Sequence, residues 1–162
     1  MDRISKEEYY LDIAKSVSSR STCLRRAYGA VIVSGDRIVS TGYNGAPEGR
    51  KNCTDMNVCL RNKLKIPSGE RYELCRSVHA EANAIISASK LETCGATLYL
   101  SGTDVPSGDL LPISEPCAMC KRMIINAKIK EVISRGPGGE IHRKLVRDWV
   151  FDDDSLPEKV KS

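Results

Sequence analysis

Ala96-Thr97-Leu98-Tyr99-Leu100, then Pro116-Cys117-Ala118-Met119-Cys120, then Ile129-Lys130-Glu131-Val132-Ile133: these three pieces, in that order, decide the fold. The first and last are apolar runs of strand length. Between them Pro116 suits the first position of a helix that carries Met119, Met123 and Ile124 inward. Working outward, Ala30-Val31-Ile32-Val33, the turn signal Ser34-Gly35-Asp36 and Ile38-Val39-Ser40-Thr41-Gly42-Tyr43 read as a strand hairpin. Residues 79–90 read as a helix, because Ala80, Ala84, Ile85 and Ala88 fall near one face. Two strand-helix-strand crossings after a hairpin predict a three-layer α/β/α domain on a mixed sheet.

The flanks are less regular. Ser5-x-x-Glu8 is a capping-box pattern, and Tyr9, Tyr10, Ile13, Ala14 and Val17 follow at helical spacing, which predicts a helix to about residue 19. Asn44-Gly45-Ala46-Pro47 opens a long polar connection. From Cys53 to Cys75 the pattern is weak, with a short helix through Val58, Leu60 and Leu64 before Ile66-Pro67-Ser68-Gly69 stops it. A Gly/Pro-containing insertion runs from Gly102 to Pro112. No repeat or linker between two cores is visible, so residues 1–162 read as one domain. Its last stretch, 136–162, holds Trp149 and reads as a C-terminal arm packed on the domain or on a partner subunit, or else as a solvated tail.

Composition bounds the function. A chain of 162 residues with 41% apolar residues fits one compact domain, and no apolar run approaches the roughly 18 residues of a membrane helix. The charged N-terminus Met1-Asp2-Arg3-Ile4-Ser5-Lys6-Glu7-Glu8 lacks the apolar stretch of a secretory signal, so the expected compartment is the cytoplasm. A net charge of +4, with basic and acidic residues interspersed, argues against nucleic acid as a partner while leaving room for a small anionic substrate. Seven cysteines in a reducing compartment point to metal binding or catalysis rather than disulfides.

The chemistry concentrates in His79-Ala80-Glu81 and Pro116-Cys117-Ala118-Met119-Cys120. Cysteines three apart on a helix share a face, so Cys117 and Cys120 can ligate one ion and His79 can bring a nitrogen ligand. Three protein ligands leave one tetrahedral position for water, the mark of a catalytic zinc, which lowers the pKa of that water from about 16 toward about 7. Glu81 is not needed as a ligand and is placed to shuttle protons between that water and a substrate. A pure binding module has no need for such a carboxylate.

His-x-Glu followed by Pro-Cys-x-x-Cys is the signature of zinc nucleobase deaminases, and the sequence resembles the cytidine and deoxycytidylate deaminase superfamily. Gly29-Ala30-Val31-Ile32-Val33, Thr41-Gly42-Tyr43-Asn44-Gly45-Ala46-Pro47 and His79-Ala80-Glu81-Ala82-Asn83-Ala84-Ile85 look most like its deoxycytidylate branch. The resemblance runs from about residue 5 to residue 135. It implies a mixed five-stranded sheet, and hydrolytic deamination of dCMP to dUMP and ammonia in the supply of dUMP for thymidylate synthesis. Glu81 would take a proton from the attacking water, protonate the ring nitrogen and then the departing amine. It also places Asn44 near the nucleotide and the backbones of Ala80 and Glu115 at the base edge. Departures from the family lie in the insertion Gly102–Glu115 and in Ala27-Tyr28, where a phosphate contact does not carry over. Arg25 and Arg26 are nearby candidates for the phosphate, as an arginine fork matches its oxygens; a solvated pair is the other reading.

Cys23, Cys53, Cys59 and Cys75 lie outside this set, and their spacing is compatible with a shared zinc or with inert thiols. Some deoxycytidylate deaminases resemble this chain in carrying a structural zinc at positions matching Cys23 and Cys53, with Cys59 and Cys75 completing a four-thiolate site. The expectation is two zinc ions per chain, with Cys94 left as a buried core thiol. The resemblance further implies a homo-oligomer, a hexamer in many relatives, with dCTP and dTTP as effectors. The competing readings are the same chemistry on dCTP, cytidine, guanine or tRNA adenosine, and a zinc-stabilised nucleotide-binding module without chemistry.

Overall fold

The structure, a computed structural model, describes residues 2–157. Helix α1 (Lys6–Ser18) starts at the expected capping box: Ser5 Oγ accepts from the Glu8 amide at 3.1 Å and the Ser5 amide donates to Glu8 Oε2 at 2.9 Å. Its inward stripe is Tyr10, Leu11 and Ala14; Tyr9 points out. Strands β1 (Arg26–Ser34) and β2 (Arg37–Tyr43) form the hairpin, with an irregularity after Ile32 that leaves Val39 unmatched. After short helices α2 (Cys53–Met56) and α3 (Leu60–Lys63) and a 3-10 turn at Tyr72–Leu74, the crossing helix α4 (Ala80–Ile86) is followed by α5 (Lys90–Thr93). Then come β3 (Thr97–Asp104), α6 (Ala118–Asn126), β4 (Glu131–Arg135), β5 (Ile141–Leu145) and α7 (Val146–Phe151).

The five strands lie in the order β2-β1-β3-β4-β5; β3 and β4 are parallel and every other neighbouring pair is antiparallel. Period-two alternation divides each strand between two cores. Val31, Val33, Tyr99 and Ile133 pack under Tyr10, Leu11 and Ala14 of α1. Ala30, Ile32, Leu98, Leu100 and Val132 pack under Ala80 and Ala84 of α4 and Cys120 and Ile124 of α6. The result is the expected three-layer arrangement. Two glycines permit the close layering: a Cβ on Gly29 would lie 2.0 Å from the Ala14 carbonyl oxygen of α1, and one on Gly42 would lie 2.4 Å from the Ala80 oxygen and the Ala84 nitrogen of α4.

Five details differ from the sequence reading. The helix read over residues 79–90 ends at Ile86, and a separate helix begins at Lys90. Pro116 is not the first helical residue: Cys117 is the N-cap and the proline precedes it, its fixed φ suiting the extended approach. Met123 is exposed, because the buried stripe of α6 runs through Cys120 and Ile124, four apart. Cys94, expected in the core, is exposed, since it caps the end of the short surface helix α5. The region beginning at Gly102 is strand at first: β3 continues to Asp104, paired with Arg26–Tyr28 of β1, before the chain turns back to bridge Thr103 with Leu110. The arm packs on the domain: β5 is the fifth strand, Val146 is buried in the core beside α6 and Trp149 packs against it. Residues 158–162 of the arm lie outside the described residues. Among the described residues no helix is long and apolar enough to cross a membrane.

Candidate functional site

Strands β2 and β3 both run antiparallel to β1 and therefore parallel to each other. Their carboxyl ends lie at the same edge of the sheet, and the helices that follow them, α4 and α6, bring their N-termini together there. This is where open α/β sheets gather ligands. Helix α4 is fastened to β2 by Ser40 Oγ donating to the Ala84 carbonyl at 2.7 Å and by Asn83 Nδ2 donating to the Tyr43 carbonyl at 2.8 Å.

His79 is the N-cap of α4 and Cys117 that of α6, both with extended backbone, and neither side chain caps its own helix. Both are thereby free to face the cleft. The sulfurs of Cys117 and Cys120 each lie 3.4 Å from His79 Nδ1, and the three ligand atoms fall within 4.8 Å of one another. Ligands at zinc distances of about 2.3 Å for sulfur and about 2.0–2.1 Å for nitrogen, at a tetrahedral angle, stand about 3.5 Å apart, so these residues fit a zinc ion. The ionisation pattern reflects how closely the three groups approach one another; a metal ion would displace the protons that His79 and Cys120 hold. The Cys117 thiol is drawn down to about 4, first by its hydrogen bond with Cys120 and also by His79. His79 is held up at about 10, chiefly by Cys117. Cys120 is pushed upward by the same pairing, by burial and by Glu81.

Glu81, in the first turn of α4, is only 4% exposed. The Cys120 thiol donates to its Oε2 at 3.6 Å. Burial pushes the Glu81 carboxyl up from its ordinary value, because desolvation disfavours the ionised form. Ala80 is fully buried beside it, and Glu115 lies at the rim, where Lys121 pairs with it at 3.2 Å.

One cavity joins His79, Glu81, Cys117 and Glu115 to Asn44 and Arg26, along with Arg25. Asn44 is buried, and its side chain staples the β1 backbone: Oδ1 accepts from the Tyr28 amide at 2.8 Å and Nδ2 donates to the Arg26 carbonyl at 2.9 Å. Its turn role and its place in the cavity wall therefore coexist. Cys23, Cys53, Cys59 and Cys75 also line this cavity. Burial and the three neighbouring thiols push Cys53 up. Burial works to raise Cys75, but the His79 ring and the Ser77 backbone bring it below the ordinary thiol value. The tight cluster of three ligand atoms among the described residues is His79, Cys117 and Cys120; the other four cysteines share a region without that close approach. Among the cavity residues to which the sequence reading gave no role are Tyr28, Arg76, Arg61 and Tyr72. The last two belong to the segment whose pattern is weakest, and no spacing marks them.

A three-ligand nitrogen–sulfur site with an open position and a buried carboxylate at its side defines a zinc hydrolase on an α/β/α sheet. More particularly, the chain belongs to the family described as the cytidine and deoxycytidylate deaminase zinc-binding region, whose profile matches residues 4–135. It is 36% identical over 138 residues to the deoxycytidylate deaminase of Mycobacterium phage D29, covering 82% of this chain and 96% of that protein. It is 34% identical to the deoxycytidylate deaminase of Schizosaccharomyces pombe over 81% of this chain and 37% of the yeast protein. The dCMP deaminase of cyanophage S-TIM5, solved in complex with dCMP and dUMP, superposes with a TM-score of 0.54 at 25% identity, over 82% of this chain and 84% of that one. The cytidine deaminase of Mycobacterium tuberculosis shares the fold, with a TM-score of 0.51 at 18% identity over 94% of this chain and all of that one.

Proposed function

We propose that the protein hydrolyses the 4-amino group of dCMP, giving dUMP and ammonia and so supplying dUMP for thymidylate synthesis. The observation that carries this is the buried Glu81 carboxyl beside the converged His79, Cys117 and Cys120 atoms, on the wall of one cavity. His79 Nδ1 and the sulfurs of Cys117 and Cys120 would hold a zinc ion, which would supply Lewis-acid activation of a water. Glu81 accepts a proton from the attacking water, delivers it to the ring nitrogen N3 and then serves the departing amine. Its raised affinity for protons suits it to both directions of transfer. The backbones of Ala80 and Glu115 hold the base edge, and Asn44 adjoins the nucleotide.

A phosphorylated substrate is favoured by the charges of the cavity. Its carboxylates, Glu81 and Glu115, stand with the metal ligands, while Arg25, Arg26 and Arg76 line the same cavity. None of these three arginines is among the described ion pairs with carboxylates, so an anion can claim them; Arg26 is the phosphate ligand in this reading. Names of the relatives support dCMP, as does the S-TIM5 enzyme's complex.

The same reading takes residues 1–162 as one deaminase domain with 136–162 as its arm, acting in the cytoplasm as a homo-oligomer, a hexamer, with dCTP and dTTP as effectors. It includes a second, structural zinc held by Cys23, Cys53, Cys59 and Cys75, which line one region of the cavity. Such a site would stabilise a loop too polar to fold on a core of its own.

The test is product formation by zinc-loaded protein from dCMP, CMP, dCTP, deoxycytidine, cytosine and guanine at neutral pH. Turnover of dCMP with at least about a hundredfold loss on removing the phosphate is expected, as two charge-assisted contacts disappear. Equal turnover of deoxycytidine would contradict the phosphate assignment, and preference for another base would move the substrate.

A further inference from the structure

Arg61 is 2% exposed, yet no carboxylate is among its partners in the described structure. Buried arginines ordinarily pair with acids, because a desolvated charge is costly. Here Nη1 donates to the carbonyls of Glu70 and Arg71, the latter at 2.9 Å, and Nη2 donates to the Pro67 carbonyl at 2.8 Å. One planar cation thus gathers three carbonyls of a polar loop that has no apolar core. Its guanidinium carbon also stands 4.4 Å over the centre of the Tyr72 ring. Tyr72 Oη accepts from the Gly69 amide at 3.2 Å, which ties the ring to the same loop.

The other side of this arrangement is the site. The Tyr72 ring meets His79 edge-on, with centroids 5.1 Å apart and planes at 85°, and it lines the cavity with Glu81. Held over one face by Arg61 and set at a right angle to His79, the ring is part of the wall of the cavity that also holds Glu81. A flat ring, fixed before the ligand arrives, is what an aromatic base stacks on with least loss of freedom.

We propose that Tyr72 is a base-contacting residue, an aromatic wall for the substrate's ring, and that Arg61 is its positioning residue. The proposal rests on the dCMP reading. Its test separates the base from the sugar phosphate and avoids turnover: calorimetric binding of dCMP and of deoxyribose 5-phosphate to the full-length zinc-loaded Glu81→Gln protein. Added Tyr72→Leu should weaken dCMP about tenfold, the scale of one base-aromatic stack. It should leave deoxyribose 5-phosphate within about twofold, with zinc per chain unchanged. Tyr72→Phe, which keeps the ring, should recover the dCMP affinity. Arg61→Lys should follow Tyr72→Leu, because an ammonium cannot stack as a plane while bridging three carbonyls.

Equal loss of both ligands in Tyr72→Leu would mean a collapsed cavity and overturn the wall; no loss of either would overturn it as well. Unchanged dCMP binding by Arg61→Lys would remove Arg61's positioning role. Where the Glu81→Gln parent itself binds deoxyribose 5-phosphate but not dCMP, the substrate reading fails before the wall is at issue, and the wall for that base falls with it. Should Arg61→Lys fail to fold, the Tyr72 pair still decides.

Discussion

Glu81 and the three ligands are side chains whose sequence spacing reflects a short-range physical demand, and for that reason they were legible without coordinates. A His two residues from a Glu, and two cysteines three apart, are what a shared ion and a proton carrier require of helix starts. Arg61 and Tyr72 had no such signature: a loop folded around one guanidinium has no period to read. Asn44 was read as the start of a loop and as a neighbour of the nucleotide, and it is both a staple of β1 and a cavity wall. Cys94 was misplaced because a thiol in a polar stretch gives no directional cue, and it proves exposed while Cys53 and Cys120 are buried. With two zinc ions bound, six of the seven thiols are ligands and Cys94 alone is open to reagent. We expect one thiol per chain to react rapidly in the zinc-loaded protein and the remainder only after chelation, with two zinc ions released. Several rapidly reacting thiols, or one zinc by elemental analysis, would remove the four-cysteine site.

Elements were legible where their faces were one-sided. Strands β1 and β3 alternate between two apolar cores and announced themselves. Strand β5, Ile141-His142-Arg143-Lys144-Leu145, did not: it is an edge strand with no buried residue, so it lacks the alternation that would have separated it from a tail. The start of α6 was read two residues early because a proline is at home both before and just inside a helix cap. The packing of α4 on β2 depends on Gly42, which the sequence could show only as part of a turn-like motif. Gly42→Ala places a methyl 2.4 Å from the Ala80 oxygen and the Ala84 nitrogen, atoms of the helix that carries His79 and Glu81. The expected cost is about 1–3 kcal/mol in urea unfolding, accompanied by weaker zinc retention. Unaltered stability would mean that α4 does not sit that close.

Over the whole molecule, one cluster joins the first helix, the sheet and the arm. Arg143 of β5 donates to Glu131 of β4 at 2.6 Å and pairs with Glu7 of α1, while Thr97 Oγ1 of β3 donates to Glu131 at 3.0 Å. Burial works to raise the Glu131 carboxyl, but Arg143 and Thr97 outweigh it and hold it below its ordinary 4.5. The folded state therefore favours the ionised form: its contribution is complete above the ordinary carboxylate value and is lost as the pH falls through the lower folded one. The stability difference between wild type and Arg143→Gln should be largest near neutral pH and shrink below about pH 4; a difference independent of pH would contradict this. The three layers were legible from the order of hairpin, helix and strands, whereas the attachment of the arm was left open between domain, partner subunit and solvent, because β5 has no buried residue and its backbone pairing with β4 and these charge contacts are long-range. What the assembled layers accomplish is tested most directly by the loss of absorbance as zinc-loaded protein converts dCMP to dUMP, run beside Glu81→Gln. Wild type should turn over, and the variant should bind dCMP yet lose turnover by about a thousandfold or more, as removal of a proton carrier required at each transfer demands. A variant that turned over within a few-fold of wild type would contradict the account.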